Sequence, residues 1–506
     1  MTTMTTMTTM TTMTTMDSTG AATRARHAPP IAPFARGPVL AVTAVVAVAH
    51  LAASFGSGYW FDEVYMLAIG RNHLDWGSAD QPPLTPLLAA LADAVAPGSI
   101  VALRLPAVLA TAAAVLVAAL IARELGGDRR AQTITAAAQA TTLWITLAGH
   151  WLTPYTLEPV QWLLLIWLVV RWVRLRDDRL LLALGAVAGI AAQTKFQVLL
   201  LCAVLLLAVL VCGPRELLRR PLLWAGAGIG VLIALPTLVW QALNEWPQLQ
   251  MGAVVTAEAD ALYGGRTGVA VLLVACAGIA GTALAVYGVW RLLRADEMRP
   301  YRFLAVTFLA LYVFFVVSVG RPYYLGGFYA ALAAAGAVGL QRRRESGARR
   351  WRWVVWPAFA LSAAAAGVML SASWDAVAES DDAGTRIAQS AAAAYRSLPP
   401  GERETTALMA QSYIVAAYLD GYSTEYGLPE AYSGNRGYGW FPPPPEAATS
   451  AIFVGRTPDD VRPYFDEVRR IDEGGPDARE SSVWLCTGRQ EPWAAIWPRL
   501  RSLTVG

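Results

Sequence analysis

From Pro38 to Leu370 the chain is a succession of apolar runs of about twenty residues, each long enough to cross a bilayer as a helix. The runs fall at 38–55, 100–122, 131–148, 157–173, 180–194, 196–212, 222–242, 268–290, 303–319, 324–340 and 353–371. Beyond Ser373 the pattern changes to ordinary polarity. There Thr406–Met409, Ala451–Val454 and Ser482–Leu485 read as strands and Arg386–Tyr395 and Thr457–Ile471 as helices, the last opening on Thr457, Pro458 and Asp460 as a start signal. The expected fold is an all-α polytopic membrane bundle of about eleven transmembrane helices, followed by a small extracytoplasmic α/β domain.

The polar stretches between the runs alternate in character. One set carries Arg123/Arg129/Arg130, Arg174/Arg176/Arg179, Arg215/Arg219/Arg220, Arg291/Arg294/Arg299/Arg302 and Arg342/Arg343/Arg344/Arg349/Arg350/Arg352; the other is nearly free of Lys and Arg. Basic loops stay in the cytoplasm, so the N-terminus is expected inside and everything after Leu370 outside. Three parts result: 1–37, a cytoplasmic N-terminus expected to be disordered; 38–371, a transmembrane domain with a long first outer loop at 56–99; and 372–506, the outer soluble domain. The Met-Thr-Thr triplets of residues 1–16 have no packable face. The first apolar run is read as a retained span, because its basic leader is long for a cleaved signal peptide. Gly56–Ser99 mixes apolar and polar residues in the manner of short helices lying on the membrane surface.

Composition narrows the class. Of 506 residues, 56% are hydrophobic and 15% charged, and the mean hydropathy is +0.42, whereas soluble proteins carry about 25% charge. Length alone would suggest about three globular domains; the hydropathy excludes that for most of the chain, together with a disordered scaffold or a disulfide-stapled secreted module. A net charge of +3 gives no reason to expect nucleic acid as a partner. Cys202, Cys212 and Cys276 lie in apolar runs and Cys486 is alone in the tail, so neither a disulfide within the tail nor a zinc site is expected.

The chemistry-bearing residues gather in the outer segments Gly56–Ser99, Gly149–Glu158, Asn244–Thr267 and Gly320–Tyr324, with Lys195 in a further outer turn. Asp62 and Glu63 follow the first span directly, and acids beside a bilayer are costly unless wet, paired or used. Asp80 and Gln81 precede Pro82 and Pro83, which fix the backbone behind the carboxylate. Neither acid group has metal-ligand spacing; no cofactor is required, and a divalent metal is compatible but unsupported. His150 is either a proton carrier or a hydrogen-bonding helix-end histidine. Glu158 opens an apolar span and is expected to face a cavity rather than lipid. Lys195 is the one lysine among 40 basic residues; it either snorkels to the interface or presents a compact charge to a phosphate. Arg321, with Tyr323 and Tyr324, forms either an aromatic belt with one cation or an anion clamp.

The run Trp60-Phe61-Asp62-Glu63 through Asp75-Trp76-Gly77 to Asp80-Gln81-Pro82-Pro83 resembles the first outer loop of bacterial C-type (GT-C) polytopic glycosyltransferases of the family 39 and aminoarabinose-transferase-like group. Gly149-His150 with Thr153, Thr194-Lys195-Phe196, Trp246-Pro247-Gln248-Leu249, Arg321-Pro322-Tyr323-Tyr324 and Ser433-Gly434-Asn435 follow in that family's order. The resemblance implies an inverting transfer of a monosaccharide, mannose or a pentose among the candidates, from a polyprenyl phosphate to an acceptor hydroxyl on the outer face of a bacterial plasma membrane. The acceptor would be a glycan, lipid, protein or secreted peptide. It implies Asp62 as general base with Glu63 as its neighbour, Lys195 and Arg321 on the donor phosphate, and Tyr323 and Tyr324 lining the site; Asp80, Gln81, His150 and Glu158 are further substrate-binding candidates. Asp80-Gln81 stands where some relatives carry Glu-Lys, and Arg321 where many carry Lys. The alternatives are a transporter or flippase for a lipid-linked sugar, which would more naturally hold its charges near the bilayer midplane, and an envelope scaffold acting through its outer domain.

Overall fold

The computed structural model describes residues 31–56, 58–347, 355–471 and 482–504. The Met-Thr-Thr repeat, most of the expected N-terminal segment, and Arg349, Arg350 and Arg352 lie outside the described residues.

The apolar runs are helices. α1 (Arg36–Ala53) leads into the first outer loop, which folds as two short helices, α2 (Phe61–Asn72) and α3 (Leu84–Val95). α4 (Ile100–Glu124) is a single long span. The run at 131–148 is broken at Thr141–Thr142 into α5 (Arg129–Ala140) and α6 (Leu143–Ala148). Then come α7 (Pro154–Leu175), α8 (Arg179–Ala192), α9 (Gln197–Cys212) and α10 (Pro221–Leu243). The outer segment after α10 is itself helical, α11 (Pro247–Tyr263). The expected span 268–290 is a bent pair, α12 (Gly265–Ala275) and α13 (Ile279–Arg294), with a 95° angle between them. α14 (Arg302–Val317) and α15 (Tyr329–Glu345) follow. Among the described residues six helices are long and apolar enough to cross a membrane, or seven counting the bent pair, and α3, α8 and α9 are shorter apolar helices.

The two breaks satisfy one another. Leu143 N donates to Cys276 O (3.0 Å) across them, and Gly278, at φ +76°, sits where a Cβ would lie 2.4 Å from Thr141 O. The N–H of Ala280 finds Ser362 Oγ at 2.8 Å. Backbone freed inside a membrane protein must be re-paired in this way, because lipid offers no partner. Elsewhere glycine lets helices touch: a Cβ on Gly185 of α8 would meet Gly226 O of α10 at 1.8 Å, the close approach that small residues permit in membrane bundles.

The arginine-rich loops converge on one end of the bundle. Arg171 and Arg174 of α7 both hold Glu124 at the end of α4 (2.9 and 2.6 Å), Arg344 of α15 pairs with Asp128, and Arg176 with Glu216. The loop 56–99, expected to be the first outer loop, is at the other end.

The last of the long helices, α16 (Val355–Ser397), runs unbroken for 43 residues. It passes the expected end of the last span at 371 and takes in the helix expected at Arg386–Tyr395. Behind it lies a five-stranded sheet: β1 (Thr406–Ala410), β2 (Ala431–Tyr432), β3 (Ser450–Gly455), β4 (Phe465–Arg470) and β5 (Ser482–Arg489), in the order β2-β1-β3-β5-β4. β1 is parallel to β2 and β3, while β5 is antiparallel to β3 and β4. The helix expected over Thr457–Ile471 is not formed. Pro458 caps a single turn, its carbonyl accepting from Val461 and Arg462 (3.1 and 2.8 Å), and Phe465–Arg470 becomes the edge strand β4. Pairing with β5 outweighs the local start signal, and the exposed charges Asp466, Glu467, Arg469 and Arg470 suit an edge.

The helix between β1 and β2, α17 (Tyr413–Gly421), joins the C-terminal domain to the loop 56–99. Val64, Tyr65 and Leu67 of α2 share one apolar cluster with Ala416, Leu419, Leu408 and Ile452. The opposite sheet face packs on α18 (Trp493–Leu500) through Phe453, Cys486, Trp493 and Trp497. The outer domain is thus seated on the loop that carries Asp62 and Asp80.

Candidate active site

α2 begins just after α1 and the short turn that follows it, with Trp60 as its extended N-terminal residue. The indole of Trp60 stacks on Trp151 (4.4 Å between ring centres) and its Nε1 donates to Tyr155 Oη (2.9 Å). Tyr155 Oη in turn donates to Asp62 Oδ2 (3.3 Å). Asp62 is therefore held from α7 by a short chain of donors, in the first helical turn, where the N-terminal dipole favours a carboxylate. Burial pushes the Asp62 carboxyl up to about 6, against the pull of Arg436 and of the Tyr155 hydrogen bond.

Asp80 lies across from it. Its Oδ1 accepts from Tyr65 Oη (2.8 Å) and Ser78 Oγ (3.4 Å), and Gln81 Nε2 donates to Oδ2 (3.4 Å). Its backbone carbonyl accepts from Gln248 Nε2 at 2.8 Å, which ties α11 to the first loop. Burial raises its carboxyl as well, with Arg436 opposing. Tyr65 Oη also accepts the N–H of Gly437 (3.1 Å), and a Cβ on Gly437 would stand 2.2 Å from that oxygen. A larger residue there would push the Tyr65 hydroxyl away, and the contact brings Arg436 to the rim of the site.

Three charges close one side of the site. Glu258 of α11 pairs with Arg321 through Oε2 and with Arg436 through Oε1. The Arg436 guanidinium stacks over Tyr413 at 4.9 Å. On the far side Lys195 Nζ stands 3.5 Å from Glu158 Oε2 and 4.2 Å above the Tyr324 ring. Tyr323 connects the two groups, stacking on Trp144 (4.3 Å) and packing against Tyr155 (5.1 Å).

The structure thus gathers Asp62, Asp80, Gln81, Glu158, Lys195, Arg321, Tyr323 and Tyr324. It does not gather Glu63 and His150. Glu63, expected as the partner acid of Asp62, faces the interior: both its oxygens lie 3.1 Å from Arg104 Nε, and Oε1 accepts the N–H of Trp60 (3.0 Å). His150 is buried against His50, with their Nδ1 atoms 3.4 Å apart. The two expected neighbouring acids therefore face different surroundings, Asp62 towards Tyr155 and Glu63 towards Arg104 and the Trp60 N–H. Arg436, Glu258, Tyr155 and Tyr413 were not anticipated. Among the described residues no three His, Cys, Asp or Glu side chains converge as a metal ligand set.

An acid held by a tyrosine, beside a group of cations at one end of a helical bundle, has the parts for proton acceptance next to an anionic group. Comparison with known proteins agrees in fold. Residues 80–240 match the family of dolichyl-phosphate-mannose-protein mannosyltransferases. The structure is similar to that of ArnT from Cupriavidus metallidurans bound to undecaprenyl phosphate, with a TM-score of 0.62 at 17% identity, covering 88% of this chain and 97% of that one. The apo state of the same ArnT gives 0.62 at 17% identity, over 89% and 98%. No curated protein sequence matches. The chain has the polytopic GT-C glycosyltransferase fold, with several membrane-spanning helices and a small C-terminal sheet.

Proposed function

We propose that the protein is an inverting glycosyltransferase that moves a monosaccharide, a hexose such as mannose or a pentose, from a polyprenyl phosphate to an acceptor hydroxyl on the outer face of a bacterial plasma membrane. The observation that carries this reading is the Asp62 carboxylate, held by Tyr155 and facing the charges of Arg436 and Arg321 at the end of the bundle. The undecaprenyl phosphate bound to the similar ArnT structure supports the donor class. In the proposed step the acceptor oxygen attacks the anomeric carbon as Asp62 takes its proton. The bond from that carbon to the phosphate oxygen breaks, and polyprenyl phosphate leaves with the bonding pair. A hydroxyl is a poor nucleophile, so a positioned base assists it; cations fixed in a partly dry site stabilise the charge gathering on the phosphate. Turnover of a labelled polyprenyl-phosphate sugar by purified protein in detergent tests the assignment: hydrolysis and transfer both absent, with donor still bound, would favour a carrier.

Lys195 supports the reading through its position over Tyr324 beside Glu158. A charge-assisted contact contributes about 1.5–3 kcal/mol, so Lys195→Met is expected to raise the KM or Kd for donor by roughly 10–100-fold while the protein still folds. Lys195→Arg should recover part of that loss, since the fork carries the charge with a different shape. Unchanged donor kinetics in Lys195→Met would return Lys195 to interfacial snorkelling.

We place the N-terminus inside and the outer domain outside, on the convergence of the arginine-rich loops at the end of the bundle opposite Asp62. A periplasmic-type reporter fused after Gly506 is expected to be active and a cytoplasmic-type reporter silent. The reverse result would invert the whole site.

A further inference from the structure

Resting on the glycosyl-transfer reading above, we infer that the Glu258 carboxylate occupies the place of the donor phosphate, and that Arg436 of the outer domain is, with Arg321, a second guanidinium that binds that phosphate once Glu258 turns away.

The argument starts from what Glu258 joins. One of its oxygens meets Arg321, from the turn between α14 and α15; the other meets Arg436, from the segment after β2. Two guanidiniums that reach one carboxylate from separate parts of the chain are spaced for one oxyanion, and a phosphate offers the same paired acceptors with a further oxygen and more charge. Arg436 is 9% exposed, yet its buried Nε has no hydrogen-bond partner among the described residues. Glu258 leaves that donor unmet, and leaving a buried donor unmet is costly. A third phosphate oxygen could fill it.

The backbone holds Arg436 for this place. Its φ is +48°, a left-handed conformation that non-glycine residues adopt when the surroundings over-determine it. Those surroundings are present: Arg436 N donates to Ser502 O (2.7 Å), Asn435 Oδ1 accepts the N–H of Tyr413 (3.1 Å), and Gly437 N donates to Tyr65 Oη (3.1 Å). The guanidinium faces both Asp62 and Asp80 electrostatically, so a phosphate on it would lie beside the proposed base. Glu258, by contrast, keeps about a quarter of its side chain in water, 23%. Its carboxylate can turn to solvent without being buried unpaired, whereas the Arg321 and Arg436 side chains are only 13% and 11% exposed. Glu258 is the exchangeable member of the three. The outer domain thereby completes the donor site rather than only covering it.

The test is binding of undecaprenyl phosphate to purified full-length protein in detergent, with thermal stability measured on every variant. Arg436→Gln is expected to weaken binding by roughly 10–100-fold, as loss of a charge-assisted contact does. Glu258→Gln is expected to tighten it by several-fold, because a larger share of the protein is then open to the ligand. If Glu258 is a structural bridge, Glu258→Gln instead weakens binding and lowers the melting temperature, and the inference fails. Unchanged binding in Arg436→Gln alongside weakened binding in Lys195→Met overturns this inference and leaves the donor reading standing. Absence of binding in the wild type overturns both. Should Arg436→Gln not fold, Arg436→Lys keeps the charge without the fork and is expected to bind more weakly than wild type, and the Glu258→Gln arm decides independently.

Discussion

Asp62→Asn is expected to insert, fold and bind donor, yet to lose turnover by about 10²–10⁴-fold or more, the usual contribution of a positioned base. The amide has the shape of the carboxylate and can still accept the hydrogen bond that Tyr155 Oη donates at 3.3 Å. It cannot take a proton from the acceptor hydroxyl. Donor affinity should survive, because the cations proposed for the phosphate, Lys195, Arg321 and Arg436, are on other elements. The pH profile gives a second signature. Burial raises the Asp62 carboxyl to about 6, so in the free enzyme the base form is lost as pH falls through about 6, not through the ordinary carboxylate range near 4. The acid limb of kcat/KM is expected there, with activity rising from pH 5 to pH 7, and the residual activity of Asp62→Asn should lack it. Near-wild-type turnover in the purified variant would remove the base assignment and with it the main reason to prefer an enzyme to a carrier.

Much of this was legible in the chain, for an identifiable reason. A charge in an apolar setting is conspicuous, and Asp62, Asp80, Lys195 and Arg321 each stand beside hydrophobic runs. Their convergence at one end follows from the arginine alternation that marks the opposite end. Arg436 and Glu258 were not legible because they lie in segments of ordinary polarity. A hint was present in Gly434-Asn435-Arg436-Gly437-Tyr438, where one cation stands among small and aromatic residues, but only the fold brings it beside Tyr65. The helix breaks were hidden too. Hydropathy reports that 131–148 and 268–290 are apolar, not that Leu143 N and Cys276 O pair across them. The misread helix at Thr457–Ile471 shows the converse: a sound local start signal yields to strand pairing set from elsewhere in the sheet.

The adjacent acids carry the sharpest lesson. Side chains at i and i+1 on a helix diverge by about 100°, so Asp62 and Glu63 could share a site only off a helix, and they are on α2. Asp62 faces Tyr155 and the site; Glu63 faces α4.

That geometry sets the second large effect. Glu63 and Arg104 are both 0% exposed. Arg104 Nε lies 3.1 Å from each Glu63 oxygen, Arg104 Nη2 donates to Gly58 O (3.0 Å), and Glu63 Oε1 accepts the N–H of Trp60 (3.0 Å). One buried pair thereby fixes the start of α4, the turn at Gly58 and the first turn of α2, the turn that aims Asp62. Removing one partner of a buried ion pair costs about 3–5 kcal/mol, because the other charge stays behind without compensation. Glu63→Gln is therefore expected to lower the yield of folded protein and its melting temperature markedly, while the fraction that folds still binds donor. Removing both charges should be gentler than removing one, since an apolar replacement of a buried pair is often neutral; Glu63→Gln combined with Arg104→Met is expected to regain much of the lost stability. The check is the melting temperature of the two single variants and the double, with turnover counted per folded molecule. A Glu63→Gln protein that melts like wild type but no longer turns over would move Glu63 from the frame of the site into its chemistry.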